Sequence, residues 1–242
     1  MTRLLILGGT SEASGLARQI APVMDVVTSL AGRTTSPVLP PGRTRAGGFG
    51  GVEGLARYLV DEGVDAVIDA THPFAANMQW NAYTACLQLG VRRLRLIRPG
   101  WTAQPGDRWR GVADLTGAAA ALKASGAARV LLTTGRQELV PFARLSPIWF
   151  VLRSIEVPVI PAGMQAEVVL ARPPFTVESE LQLLRTHSID TVVTKDSGAD
   201  ATVAKLVAAR QLGLDVVMVD RPPSPPGPTA ANVEQALNWL GE

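Results

Sequence analysis

The sequence predicts an α/β protein of two doubly wound domains, each built on a parallel sheet, with a ligand cleft between them. Three observations predict it. Short, mostly aliphatic runs recur along the chain, as in strands buried on both faces. Stretches with helical spacing of apolar residues separate them. The alternation breaks once, over Pro99–Gly111, where Pro, Gly and two tryptophans cluster, and then restarts. This is the pattern of two Rossmann-like domains. The first is expected over residues 1–100 and the second over 112–242.

The elements follow in order. Leu4–Leu7 reads as a buried strand ending in Gly8-Gly9, and Ser11–Ile20 as a helix with Ala13, Leu16, Ala17 and Ile20 on one side. Asp25–Leu30 is a second strand. Residues 31–51, rich in Gly, Pro and Arg, are long for a connection and read as a functional loop. Val52–Glu62 is helical, Ala66–Asp69 a strand, Phe74–Leu89 a helix and Leu94–Ile97 a strand. In the second half Leu115–Ala124 is helical and Val130–Leu132 a strand. Thr133–Arg136 is a turn into a short helix, and Trp149–Arg153 a strand. Then come a helix (Val177–Thr186), a strand (Thr191–Val193), a helix (Ala201–Leu212), a strand (Val216–Val219), a proline-rich turn and a last helix (Thr229–Leu240).

Composition narrows the function. The 242 residues are 47% hydrophobic and 18% charged, with a net charge of +2. That is a globular composition without the global basic field of a nucleic-acid binder. Local arginine clusters suit phosphate or carboxylate ligands instead. The single cysteine, Cys86, excludes an internal disulfide, argues against a cysteine-rich metal site and reads as a small buried apolar residue. The chain runs from Thr2-Arg3 straight into a strand, and no apolar run approaches the ~20 residues that span a bilayer. A cytoplasmic location is expected.

In open α/β sheets, ligands collect at the carboxyl ends of the strands. At the first such end, Gly8, Gly9, Thr10 and Ser11 offer close backbone approach, a cap hydroxyl and a helix N-terminus, which together suit a phosphate. The strict G-x-G-x-x-G spacing is missing. The second strand end has no carboxylate for a ribose hydroxyl. Arg33 follows closely, which favours a 2′-phosphate and hence NADP. Gly48, Phe49 and Gly50, within Gly47–Gly51, imply close approach to a ligand. Asp69 ends a strand, Thr71 and His72 form the connection, and Pro73 suits the first turn of the next helix. A helix N-terminus favours a neutral His72 that hydrogen-bonds a ligand. His187, late in a polar helix, reads as structural.

The second half places Thr134, Gly135 and Arg136 at one strand end, Arg153 at another, and Lys195, Asp196, Ser197 and Gly198 at a third. Together they read as an anion-binding lip facing the first domain, with Lys195 a candidate proton donor or charge partner. Arg221 at the last strand end adds a weaker signal.

The ordered set of these pieces resembles the precorrin-6A reductase family of cobalamin biosynthesis. The set comprises residues 7–12 (LGGTSE), 47–51 (GGFGG), 69–75 (DATHPFA), 134–136 (TGR), 194–198 (TKDSG) and Arg221-Pro222. The resemblance spans essentially the whole chain. It implies NADPH-dependent reduction of a double bond in the polycarboxylate macrocycle precorrin-6A, giving precorrin-6B, with the cobalt-bearing substrate of the anaerobic pathway as the alternative. It implies NADPH on Gly8, Gly9, Thr10, Ser11 and Arg33, with Asp69, Thr71 and His72 near the nicotinamide. Substrate is expected against Gly48, Phe49, Gly50, Thr134, Gly135, Arg136, Arg153, Lys195, Asp196, Ser197 and Gly198. Lys195, His72 and a bound water are the alternatives for the proton source. No nucleic acid, membrane or metal is implied. Two rivals are a nucleotide-sugar glycosyltransferase and a non-catalytic dinucleotide or tetrapyrrole binder.

Overall fold

The computed structural model describes residues 2–32 and 39–241. Arg33 lies outside the described residues. The chain divides into two units, Met1–Pro99 with Pro223–Glu242, and Gly100–Pro222.

The first unit opens with β1 (Arg3–Leu7), α1 (Ser11–Ile20), β2 (Asp25–Leu30), β3 (Arg43–Ala46) and α2 (Gly51–Asp61). It continues with β4 (Ala66–Asp69), α3 (Ala76–Leu89) and β5 (Arg92–Leu96). Successive side chains of a strand point to opposite faces. Leu4 and Ile6 therefore join the core under α1, while Leu5 and Leu7 join the core under α2 and α3. The α1 residues Ala13, Leu16, Ala17 and Ile20 are the ones buried, as their spacing predicts. Cys86 sits in the α2–α3 core, where burial pushes its thiol up to about 11.

The second unit holds β6 (Arg108–Val112), α4 (Leu115–Ser125), β7 (Arg129–Leu132), a short 3-10 turn at Val140–Phe142 and β8 (Trp149–Ser154). Then come β9 (Ala166–Leu170), α5 (Val177–Thr186), β10 (Thr191–Lys195), α6 (Asp200–Leu212) and β11 (Asp215–Val219). One face of this sheet, with Leu131, Val151, Val192 and Val216, packs on Leu184 of α5 and Leu206 of α6. Phe142 and Phe150 meet edge to face, ring centroids 5.9 Å apart.

The chain then returns. β12 (Thr229–Ala230) pairs with β5, and α7 (Val233–Leu240) buries Ala236 in the core that holds Leu16 and Leu94. The backbone N–H of Arg95 donates to the Pro228 carbonyl (3.0 Å) and that of Ile97 to Ala230 (2.8 Å). Residues 223–242 thus belong to the first unit, not to the second as the sequence pattern suggests. Local periodicity marks an element but does not say which sheet it joins.

Both sheets are parallel throughout. Their orders are β3-β2-β1-β4-β5-β12 and β6-β11-β10-β7-β8-β9. Numbered within its unit, the first sheet reads 3-2-1-4-5-6, the dinucleotide-binding order, in which the connections reverse direction between β1 and β4. In the second sheet they reverse between β7 and β10.

Candidate active site

The sheet order brings the first two predicted motifs together. Leu7 pairs with Asp69 across β1 and β4, and the Ala70 N–H donates to the Leu7 carbonyl at 2.9 Å. Gly8-Gly9-Thr10 and Thr71-His72 therefore leave the sheet side by side at its switch point. Gly8 is tightly packed: a Cβ there would come within 3.0 Å of Thr28. Gly9 has φ +113° and open space beside it. Glycine adopts that conformation without strain, and the open side exposes its backbone to a ligand. Thr10 caps α1. Its Oγ1 accepts from the Ala13 N–H (3.2 Å) and donates to the Ala70 carbonyl (2.8 Å), which joins the two motifs. That hydroxyl is thus engaged by the protein. The backbone N–H groups of the first turn of α1 remain as the phosphate donors the motif offers. Ser11 donates to Glu12 (3.1 Å), and Glu12 is held by Arg98 at 2.5 Å. Arg98 follows β5 and lines, with Thr10 and Thr71, a shallow depression.

The connection after β4 is fixed from below. Asp69 is buried, and its Oδ1 accepts from the Thr71 N–H (3.1 Å) and Thr71 Oγ1 (2.7 Å). Asp69 is a positioning residue here, and burial keeps its carboxylate from a surface ligand. The Phe74 N–H donates to His72 Nδ1 at 3.2 Å, which makes Nε2 the ring nitrogen available to carry a proton while this bond holds. The helix starts at Ala76, later than the sequence suggests. Pro73 instead sits in a turn closed by the Ala75 N–H donating to the His72 carbonyl (2.8 Å). Gln79 holds that turn. Its Nε2 donates to the carbonyls of His72 and Pro73, both at 3.1 Å, and its side chain is fully buried. A glutamine three and seven residues before the buried Ala82 and Cys86 is the sequence signal that marks it.

At the ends of β2 and β3 the structure adds a residue the sequence reading omits. Arg45 donates from Nη1 to Ser29 Oγ (2.7 Å) and the Gly47 carbonyl (3.0 Å), and from Nη2 to the Gly48 carbonyl (3.2 Å). Its guanidinium lies 3.8 Å from the centroid of the Phe49 ring. Phe49 packs into the α2–α3 core, and Gly50 (φ +84°) caps α2. Gly48, Phe49 and Gly50 thus cluster near the ends of β2 and β3 in their own unit. The clearest glycine requirement is Gly54, where a Cβ would fall 1.7 Å from the Phe49 carbonyl oxygen.

In the second unit the switch point again collects the predicted motifs. The Thr133 N–H donates to the Val193 carbonyl at 3.0 Å, so residues 133–136 leave beside Lys195–Gly198. Gly135 (φ +100°) turns the chain with open space around it. Arg136 pairs with Glu156 at 2.7 Å, and Lys195 pairs with Glu138. Ser197 is buried at the start of α6, after its N–H bonds the Lys195 carbonyl (2.7 Å), and Gly198 has φ +67°. Thr134 is buried, and its hydroxyl has no hydrogen-bond partner among the described residues.

Two of the predicted ligands have partners within the protein. Asp196 accepts from the Trp101 N–H (2.9 Å), and Arg221 Nε donates to its backbone carbonyl (2.9 Å) and lies 3.3 Å from its Oδ2. A Cβ at Gly100 would sit 2.4 Å from the same carboxylate. Asp196 therefore fastens both ends of the second unit. Arg153 is buried against Glu180, with Phe175 stacked 4.0 Å from its guanidinium. Buried charges require such pairing, and it takes Arg153 away from a surface carboxylate. Lys205 lies beside this pair, over the Trp101 ring at 4.6 Å. Burial first, and Arg153 second, bring its ammonium down to about 7. His187 contacts Glu167 at 2.6 Å, at the end of α5 away from the switch point of its own unit.

Among the described residues no helix is long and apolar enough to cross a membrane. Comparison with known proteins covers the whole chain. The profile described as precorrin-6x reductase CbiJ/CobK matches residues 3–241. The precorrin-6A reductase of Rhodobacter capsulatus is 49% identical, over 100% of this chain and 97% of its own length. That of Rhodococcus erythropolis is 48% identical, over 100% and 98%. The cobalt-precorrin-6A reductase of Priestia megaterium is 29% identical, over 98% and 97%. A solved structure of CobK precorrin-6A reductase superposes with a TM-score of 0.93 at 49% identity, over 100% of this chain and 96% of that one. The chain belongs to the precorrin-6x reductase family, and its activity is that of a precorrin-6A reductase, an oxidoreductase of cobalamin biosynthesis.

Proposed function

We propose that the chain reduces precorrin-6A to precorrin-6B with NADPH, the first unit holding the dinucleotide and the second the carboxylates of the macrocycle. One observation carries the cofactor reading. An open glycine turn and a helix N-terminus stand at the switch point of a 3-2-1-4-5-6 sheet, and Arg45 stands where a carboxylate would select NAD. Bound NADPH supplies the hydride for the macrocycle double bond, and a proton completes the reduction at the neighbouring carbon.

The protein's own groups divide the work. Gly8, Gly9 and the first turn of α1, with Ser11, receive the pyrophosphate. Arg45, with Arg33, receives the 2′-phosphate. Thr71 and His72, held by Asp69 and Gln79, border the nicotinamide, with a neutral His72 offering its Nε2 proton. Arg136, Lys195 and Ser197 receive carboxylates, and Lys195 and His72 are the side-chain candidates for the proton. The substrate is the cobalt-free macrocycle, in keeping with the names of the relatives of highest identity.

Calorimetric titration with NADPH and NADH tests the cofactor reading. The wild type is expected to prefer NADPH, and Arg45→Gln and Arg33→Ala each to erode that preference while NADH affinity changes little. Equal affinity of the wild type for both nucleotides would refute it.

A further inference from the structure

The second unit carries an apolar surface that the residues above leave unused. Among the described residues twelve large apolar side chains are exposed, and six of them belong to the second unit, on the connections that leave the carboxyl ends of β7 and β8 or at the end of β9. Val140 follows β7, the segment Ile155, Val157, Val159 and Ile160 follows β8, and Leu170 ends β9. These three strands are neighbours and parallel, so their loops leave from one edge. The Ala171 N–H donates to the Ser154 carbonyl (3.0 Å), which ties the ends of β8 and β9 together. Val140 is 75% exposed, Val157 67% and Val159 89%. Exposed apolar side chains gathered on neighbouring loops are the raw material of a binding surface.

The same loops hold the two switch-point cations. Glu138, two residues before Val140, pairs with Lys195, and Glu156, beside Val157, pairs with Arg136. Each pair is partly buried, with side-chain exposures of 14% for Lys195 and 47% for Glu138, and of 35% for Arg136 and 19% for Glu156. A cation left without a carboxylate would therefore be costly. A carboxylate arriving on a ligand replaces a glutamate in kind and avoids that cost. The edge thus offers an apolar strip bordered by cations already holding carboxylates. A flat macrocycle with apolar faces and a rim of carboxylates complements both features at once.

We propose that this edge is the docking ledge for one face of the macrocycle, and that Glu138 and Glu156 are place-holders that the substrate's own carboxylates displace from Lys195 and Arg136. The proposal rests on the assignment of substrate to the second unit and adds where the ring lies and what guards its cations. Exchange of like for like keeps Lys195 and Arg136 paired in both states. It also makes the acidic loops selective, because an uncharged ring gains nothing by displacing them.

The test is titration with precorrin-6A, followed by quenching of tryptophan fluorescence, in three proteins: the wild type, Val157→Ser/Val159→Ser and Glu138→Gln/Glu156→Gln. Circular dichroism and NADPH affinity serve as controls for folding. The valine variant is expected to bind the macrocycle about tenfold more weakly, the equivalent of ~1.4 kcal/mol, with unchanged NADPH affinity. The glutamine variant is expected to bind it more tightly, by a margin that shrinks as salt is added. Wild-type affinity in the valine variant overturns the ledge. So does a wild-type dimer that this variant dissociates without loss of macrocycle affinity, which would make the strip a contact between copies. Equal or weaker binding by the glutamine variant overturns the place-holder role. Failure of the wild type itself to bind precorrin-6A overturns the substrate assignment beneath the proposal.

Discussion

The Thr10 hydroxyl donates to the Ala70 carbonyl at 2.8 Å while it accepts from the Ala13 N–H, so one side chain caps α1 and ties it to the strand end that carries His72. The helix N-terminus and the histidine turn are thereby held in one arrangement by a group whose sequence position suggests a helix cap and a phosphate contact, but not the bond to Ala70.

Thr10→Ala removes both bonds. Loss of a cap costs ~1–2 kcal/mol, and urea unfolding should show a loss of that size. NADPH affinity should fall with it, because the first turn of α1 loses its anchor. Thr10→Ser should restore most of both. An alanine variant as stable as the wild type would remove Thr10 from this role.

Gly54→Ala should be among the most damaging small substitutions in the first unit. Its Cβ would meet the Phe49 carbonyl oxygen at 1.7 Å, and backbone cannot step aside as a side-chain tip can. The 47–51 loop must move, taking Phe49 from under Arg45. Stability should fall by ~2 kcal/mol or more, within the range of overpacked sites. Loss of the preference for NADPH should accompany it. An unaffected nucleotide preference would separate the loop from the Arg45 site.

Lys205 gives the fold a pH dependence of definite sign. Buried with Arg153 and Glu180, it releases its proton near 7, whereas an unfolded lysine holds it to about 10.5. Between those values the unfolded chain binds the extra proton, so stability should rise with pH, by ~1.4 kcal/mol per pH unit at most. Below about 7 both states are protonated and this contribution is flat. Lys205→Met should flatten the rise, as measured by urea midpoints across that window. An identical slope in the variant would assign the pH dependence to other groups.

The interior of both sheets was legible in the sequence, and their edges were not. The buried strands announce themselves as aliphatic runs: Leu4–Leu7, Ala66–Asp69 and Val216–Val219 lie inside β1, β4 and β11. All four edge strands escape that signal. β3 is Arg-Thr-Arg-Ala, β6 is Arg-Trp-Arg-Gly-Val, β9 is half-exposed and β12 is two residues long. An edge strand is paired on one side only and its side chains are partly in water, so nothing demands an apolar run. Arg45 went unnoticed because it lies on such an edge. Its role is set by pairing with β2, which local pattern cannot register.

The strand-end motifs were legible because glycines, hydroxyls and charges at the ends of apolar runs have little structural reason to recur. What sequence could not assign was their partners. Arg153 and Asp196 occupy strand ends as convincingly as Arg136 and Lys195 do. Only the fold shows Arg153 against Glu180 on α5, and Asp196 against Trp101 and Arg221.

The most direct test of the account is anaerobic oxidation of NADPH by the purified chain, followed at the nicotinamide absorbance band, with precorrin-6A and its cobalt complex supplied in parallel. The account predicts turnover with precorrin-6A, one NADPH consumed for each macrocycle reduced, and slower turnover with the cobalt complex. Tight binding of both NADPH and precorrin-6A without oxidation of the nucleotide would contradict it.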